Sequence, residues 1–345
     1  MRPNLQTIHT ILQRYDFPET VILTESYLDQ VKEPDWVKLI FAVTLSGGKK
    51  LVIKILHGNE PSADGKIIEA QCRFSEAMRA GGILTPRRYL SGASYCTPLS
   101  CCGLPCWVTV EDYCGQEIRC ITPALAGEIG GLMARMHLLS LENRLSIGCG
   151  TLFSAAWDND VDAYDRFCEL CRTDGIRQEL FEHITTLRTE KLSRIRALWP
   201  ELPKCAVQGD ISINNLVWDD SGLQVFDYNN AGDEVLVGDM VLEGLLTAFE
   251  MDLPAGVPES SREMLLDAFF RGYLSLRPLT QVELEVVWDI YTLWHGLWFT
   301  RIVYREDSLE KRLLRHDLDG ANGLLEDILR DMCRPDDLRF HVSSC

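Results

Sequence analysis

Residues 206–232 read AVQGDISINNLVWDDSGLQVFDYNNAG. Two short apolar runs, NLVW (215–218) and LQVF (223–226), flank Asp-Asp-Ser-Gly. That combination favours a tight turn between two strands. Folding the ribbon back sets Trp218 beside Leu223, Val217 beside Gln224, Leu216 beside Val225 and Asn215 beside Phe226. Asn215 and Asp227 then share the open end of the hairpin, and Asp210 can loop back to it. Hard divalent cations such as Mg²⁺ take oxygen ligands, one or two from protein and the rest from water and phosphate. One Asp facing an attacking hydroxyl, with an Asn and a second Asp on a metal, is an arrangement for phosphoryl transfer. The plainer alternative is a strand pair whose polar ends only cap the backbone. Three such oxygens at this spacing favour the first.

Working toward the N-terminus, WVKLIFAVTL (36–45), the turn SGGKK (46–50) and LVIKIL (51–56) predict an antiparallel hairpin. Lys54 lies in the middle of the second apolar strand. A lysine there costs free energy unless it snorkels or finds a partner. Glu69 is the expected partner, on a helix whose apolar residues Ile67, Ala70, Phe74, Ala77 and Met78 repeat at helical spacing. LPCWVTVEDYCG (104–115) predicts another strand that runs out into a connector near Glu111–Gly115.

Beyond Gly115 the pattern becomes helical. Thr122 and Pro123 open a helix. Further helices are expected over 160–171, 176–198, 260–274, 280–304 and 322–332, with residues 206–232 as the only clear hairpin among them. The domain reading is 1–112 for a β-rich lobe and 113–345 for a helical lobe. His137, at the end of an apolar helix, reads as a structural histidine. Trp288, Tyr291, Trp294 and Trp298 repeat at helical steps and read as core, with an aromatic wall for a cationic ligand as the sharper alternative.

The 345 residues are 46% hydrophobic and 25% charged, which are globular proportions. Residues 1–112 carry 12 Lys and Arg against 12 Asp and Glu, so the whole net charge of −17 falls after residue 112. Such a field disfavours nucleic acid and anionic membranes and favours cationic ligands, or else serves only solubility. No apolar run is long enough for a membrane helix and no secretory signal is visible, so a cytoplasmic setting is expected. The 13 cysteines lack a regular framework and read as reduced thiols. Cys101, Cys102, Cys106 and Cys114 are crowded enough to consider a metal, but buried apolar thiols are the better reading.

With these motifs in place the chain resembles the aminoglycoside phosphotransferase and choline kinase group of protein-kinase-like enzymes over roughly residues 20–300. The family's H-G-D-x-x-x-x-N catalytic loop corresponds to QGDISINN (208–215), and its second metal segment to FDY (226–228). LVIKIL resembles the lysine strand, IIEAQCRF the glutamate helix, VTVEDYCG the adenine connector, EIGGLMARMH the helix after it and AGDEVLVGDM the tail beyond the metal aspartate. The resemblance implies an α+β bilobal fold, with a small antiparallel sheet and one main helix in the N-lobe and a larger helical C-lobe carrying the catalytic hairpin. It implies ATP or GTP with Mg²⁺, and transfer of the γ-phosphate to a hydroxyl of a small, possibly cationic, molecule. Asp210 would be catalytic. Asn215 and Asp227 would hold metal. Lys54 would bind phosphates, Glu69 would hold Lys54, and Glu111 and Tyr113 would contact the nucleotide. Asp233 and Asp239 read either as structural residues or as supports behind the site. A monomer or homodimer is expected.

Two departures follow. Gln208 stands where the family has histidine, and its amide keeps both a donor and an acceptor. TESYLDQVKEPDWVKLI (24–40) occupies the place of a glycine-rich phosphate loop, yet has no glycine and carries Glu25, Asp29, Glu33 and Asp35. This leaves open a second reading, a degenerate kinase-like protein that binds a nucleotide or small ligand without turnover. Protein phosphorylation fits less well, because little chain separates Asp227 from the next helix.

Overall fold

The computed structural model describes residues 3–32, 36–58, 63–101, 103–151, 163–250, 257–258, 260–335 and 339–340. Helix α1 (Leu5–Arg14) precedes β1 (Val21–Lys32), β2 (Trp36–Leu45), β3 (Lys50–His57), α2 (Gly65–Ala80), β4 (Thr97–Cys101) and β5 (Leu104–Asp112). The strands form an antiparallel sheet in the order β1-β2-β3-β5-β4. Period-two alternation divides its faces. Val37, Leu39, Phe41, Leu51, Ile53, Ile55, Val108 and Val110 pack with Ile8, Ile11 and Leu12 of α1 into one core. Lys38, Ile40, Val52 and Lys54 face the other way, into a cleft. Glu111 pairs in register with Val52, so it faces the cleft as well.

The helical part begins with α3 (Pro123–Asn143), α4 (Tyr164–Leu170) and α5 (Gln178–Leu198). Then come β6 (Lys204–Val207), β7 (Leu216–Asp219), β8 (Gly222–Val225), β9 (Gly232–Val235) and α6 (Leu236–Phe249). It ends with α7 (Ser261–Leu274), α8 (Gln281–Gly296), α9 (Leu309–Leu314) and α10 (Leu318–Met332). The β7–β8 register is the one the sequence implies, from Leu216 opposite Val225 to Asp219 opposite Gly222. Helices α3 and α7 approach closely enough that a Cβ on Gly272 would collide with the Gly127 carbonyl.

Several expectations need correction. The helix expected over 280–304 is two pieces, α8 and a π-helical turn at Thr300–Tyr304. The apolar pattern continues through the break, so periodicity alone could not find it. The hairpin is not the only β structure in this half, since β6 and β9 pair around it. Residues 160–162, the start of one expected helix, lie outside the described residues, and α4 covers the remainder. The aromatic wall is not present: Tyr291, Trp294 and Trp298 are buried in the main helical core and Trp288 packs against it. No group of three or more His, Cys, Asp or Glu suited to a metal occurs among the described residues, outside which Cys102 lies; Cys101 and Cys106 are buried in the sheet's core and Cys114 is half-buried. Among those residues, no helix is long and apolar enough to cross a membrane.

Candidate active site

Strands β2, β3 and β5, the connector after β5 and the open end of the β7–β8 hairpin enclose a cleft of about 660 Å³. Lys54, Glu111, Tyr113, Asn215 and Asp227 all line it. Ile40, Val52 and Phe226 give it apolar walls. At the mouth Tyr27 of β1 stacks on Tyr113, with ring centroids 6.4 Å apart.

Lys54 is 3% exposed, which is tolerable only because its charge is matched. Its Nζ lies 3.0 Å from Asp227 Oδ1 and 3.1 Å from Glu111 Oε1. Arg88, also buried, makes a charge contact with Glu111 Oε2 at 3.0 Å. Burial alone would raise the Asp227 carboxyl, but Lys54 and then Lys38 hold it down at about 2. Burial likewise works against the Lys54 ammonium, and Asp227 and Glu111 outweigh it. Asp227 has φ +55°, a left-handed conformation that Asp tolerates better than most residues. Its carboxylate caps the next turn by accepting from the Asn229 amide.

Glu69 does not partner Lys54. Its Oε2 accepts from Ser94 Oγ and from the Tyr95 and Cys96 amides, and its Oε1 pairs with Arg73. The reason is helical phase. Gln71, two residues on, is turned about 200° around α2, and it is Gln71 that faces the segment after Asp227. Its Nε2 donates to the carbonyls of Asn229 and Ala231. Phe74, on the same side, meets the Tyr228 ring edge-on. Thus α2 holds the Asp227 loop, and the sheet itself holds Lys54. Alternation along β5 could have placed Glu111 beside Lys54, whereas Gln71 carried no sequence signal.

Asp210 reaches this centre through Asn215, whose Nδ2 donates 2.8 Å to the Asp210 carbonyl. Asp210 Oδ2 accepts from Asn230 Nδ2 at 2.9 Å. Burial raises its carboxyl, opposed by hydrogen bonds from Ser212 and Asn230. Gly209 has φ +74°, and a Cβ there would stand 2.9 Å from the Asn230 carbonyl. Gln208 is the brace that the sequence implies. Its Oε1 accepts from the Asp210 amide at 2.7 Å and its Nε2 donates to the Asp227 carbonyl at 2.8 Å. Replacing Gln208 with alanine is expected to cost about 2 kcal/mol of stability, at roughly 1 kcal/mol per bond. Turnover should fall about tenfold, following the misplacement of Asp210. Chemical denaturation and steady-state rates on the one variant check both.

His137 is satisfied, between Tyr273 Oη and Asp239 Oδ2, and burial lowers its pKa. Asp233 accepts from Ser146 Oγ and from the Ile147 and Gly148 amides. One side chain that sequence reasoning missed is Glu243 of α6, whose Oε2 accepts from the Ile211 amide at 2.7 Å, within the Gln208–Asn215 loop. The acidity of β1 is partly cancelled, because Glu25 pairs with Lys50 at 2.8 Å. Glu33 and Asp35 lie outside the described residues.

A five-stranded antiparallel sheet set over a helical body, with Lys54, Asn215 and Asp227 converging on the cleft between them and Asp210 hydrogen-bonded to Asn215, defines a two-lobed kinase-like phosphotransferase. The sequence profile of the phosphotransferase enzyme family matches residues 35–279, and the chain belongs to that family. A search of curated protein sequences finds no match. Among solved structures, a microcompartment-associated aminopropanol kinase has a TM-score of 0.60 at 17% identity, covering 96% of this chain and 99% of its own. An amicoumacin kinase solved with AMP-PNP, Ca²⁺ and Ami gives 0.56 at 14% identity, over 88% of this chain and 87% of its own. A spectinomycin phosphotransferase solved with ADP and spectinomycin gives 0.54 at 11% identity, over 96% and 98%. At these identities the likeness speaks for the fold.

Proposed function

We propose that the protein transfers the γ-phosphate of ATP, or GTP, to a hydroxyl of a small cationic molecule with Mg²⁺. The convergence of Lys54, Asn215 and Asp227 on one cleft beside Asp210 carries this reading. The donor set fits the ion. Asn215 spends its amide nitrogen on Asp210, leaving its oxygen, and Asp227 adds a carboxylate whose proton is held off by lysine. One or two hard oxygen ligands from protein suit Mg²⁺, which would neutralise charge on the phosphates. Ile40, Val52 and Phe226 would flank the base, with the backbone of Glu111 to Tyr113 at its edge. Asp210 would orient the acceptor hydroxyl and take its proton.

A cationic acceptor is supported by α6 and its end. Glu243, Thr247 and Glu250 follow one another at helical spacing, and each has a buried side-chain oxygen without a hydrogen-bond partner. Burial and then the charge of Asp210 push the Glu250 carboxyl up to about 7. An ammonium group would satisfy these oxygens. The name of one structural neighbour, an aminopropanol kinase, describes such an acceptor. A cytoplasmic setting, a monomeric or homodimeric state and no nucleic-acid or membrane partner complete the proposal. The test is ADP release with ATP or GTP and Mg²⁺ across a panel of amino alcohols, aminoglycosides and neutral alcohols. Acceptor-dependent release, abolished by a chelator and strongest with amines, is expected. Nucleotide binding without release for any acceptor would instead establish the degenerate, ligand-binding alternative.

A further inference from the structure

The charges around Lys54 pose a problem for any triphosphate entering the cleft. Lys54 and Arg88 are matched by Glu111 and Asp227 in one contiguous network. Those four charges cancel, so Lys54 brings no net positive field to a ligand. Lys50, also lining the cleft, is spent on Glu25. Main-chain amides are hard to bring close, because no glycine occurs between Val21 and Leu45.

Among the described residues, one further cation lies on the cleft face of the sheet. Lys38 projects from β2 with Ile40, one pleat along from the residue opposite Lys54. It is half-buried, and no carboxylate among the described residues forms an ion pair with it. It lines the same cleft as Lys54, Asn215 and Asp227. Arg119 also lines the cleft, but it comes from beyond the connector and not from the sheet.

We propose that Lys38 is a direct ligand of the nucleotide's phosphate tail and supplies the net positive charge that the neutralised Lys54 network does not. This rests on the nucleotide reading given above. It assigns β2, through a side chain, the phosphate contact that backbone amides make where glycine allows. Lys54 then serves mainly to position Asp227 and to touch the phosphates as a member of a neutral cluster.

The experiment is equilibrium binding of AMP-PNP with Mg²⁺ and of adenosine to the unmodified protein, Lys38→Met and Lys38→Arg. The unmodified protein should bind both. Lys38→Met should weaken AMP-PNP at least about tenfold, the scale of a lost charge-assisted contact, with adenosine changed less than about twofold. Lys38→Arg should recover most of the AMP-PNP affinity. Unchanged AMP-PNP binding in Lys38→Met would overturn the proposal while leaving the nucleotide site standing. Equal weakening of adenosine would overturn it too, by showing a role in the fold. Failure of the unmodified protein to bind either AMP-PNP or GMP-PNP would overturn the nucleotide reading itself.

Discussion

Asp210→Ala is expected to lower turnover about 10³- to 10⁴-fold, the upper part of the range for a lost general base, with nucleotide affinity changed less than about threefold. The two effects separate because of where the carboxylate lies. Asp210 meets the cleft-lining Asn215 through its backbone carbonyl, which Asn215 Nδ2 reaches at 2.8 Å, and alanine keeps that carbonyl. The Gln208 brace also ends on the Asp210 amide and survives. What is lost is the carboxylate, held by Asn230 at 2.9 Å. Burial raises its pKa, so the unmodified enzyme should gain activity with rising pH as this group ionises. That acidic limb should be missing from the residual activity of the variant. Rates near those of the unmodified protein, or an unaltered pH limb, would remove Asp210 from the chemistry.

The legible parts of the sequence were those where one rule decides the outcome. The β7–β8 register follows from a two-residue alternation pinned by Asp-Asp-Ser-Gly, and it continues to the open end, where the Phe226 amide donates to the Asn215 carbonyl. Gln208 was legible as a brace because its chemistry offers a donor and an acceptor at once. Where two surfaces compete for a side chain, local pattern was silent. Glu69 and Gln71 lie on the same helix, and nothing in their spacing says which faces the cleft until the helix is docked. The π-helical turn at Thr300–Tyr304 was hidden because Leu297 and Trp298 keep the apolar pattern going through the break. Glu243 carried no signal in the sequence, and only tertiary packing shows its oxygen on the Ile211 amide.

The difference between Glu69 and Glu111 yields the second large effect. Glu111→Gln should lower kcat/KM about a hundredfold or more and cost about 3 kcal/mol of stability, in line with a buried ion pair deprived of one partner. Glu111 stands between Lys54 and Arg88, all three buried, so the substitution leaves two cations sharing the charge of Asp227. Lys54 would then draw harder on the carboxylate that is proposed to hold the metal, and catalysis should fall further than folding alone explains. Adding the Arg88→Met change to Glu111→Gln should restore part of the stability by removing the surplus cation, but not the turnover. Glu69→Gln should behave differently. Its Oε2 serves the Ser94–Cys96 segment, and glutamine retains an oxygen acceptor for it. Turnover within about threefold and a loss of about 1 kcal/mol are expected, the worth of a weakened hydrogen bond. Steady-state kinetics and denaturant titrations on the three variants decide the matter. If Glu69→Gln reduced turnover as much as Glu111→Gln, the helix carboxylate would have to reach Lys54 in the working enzyme. The anchoring of that lysine from within the sheet would then be a feature of the resting form alone.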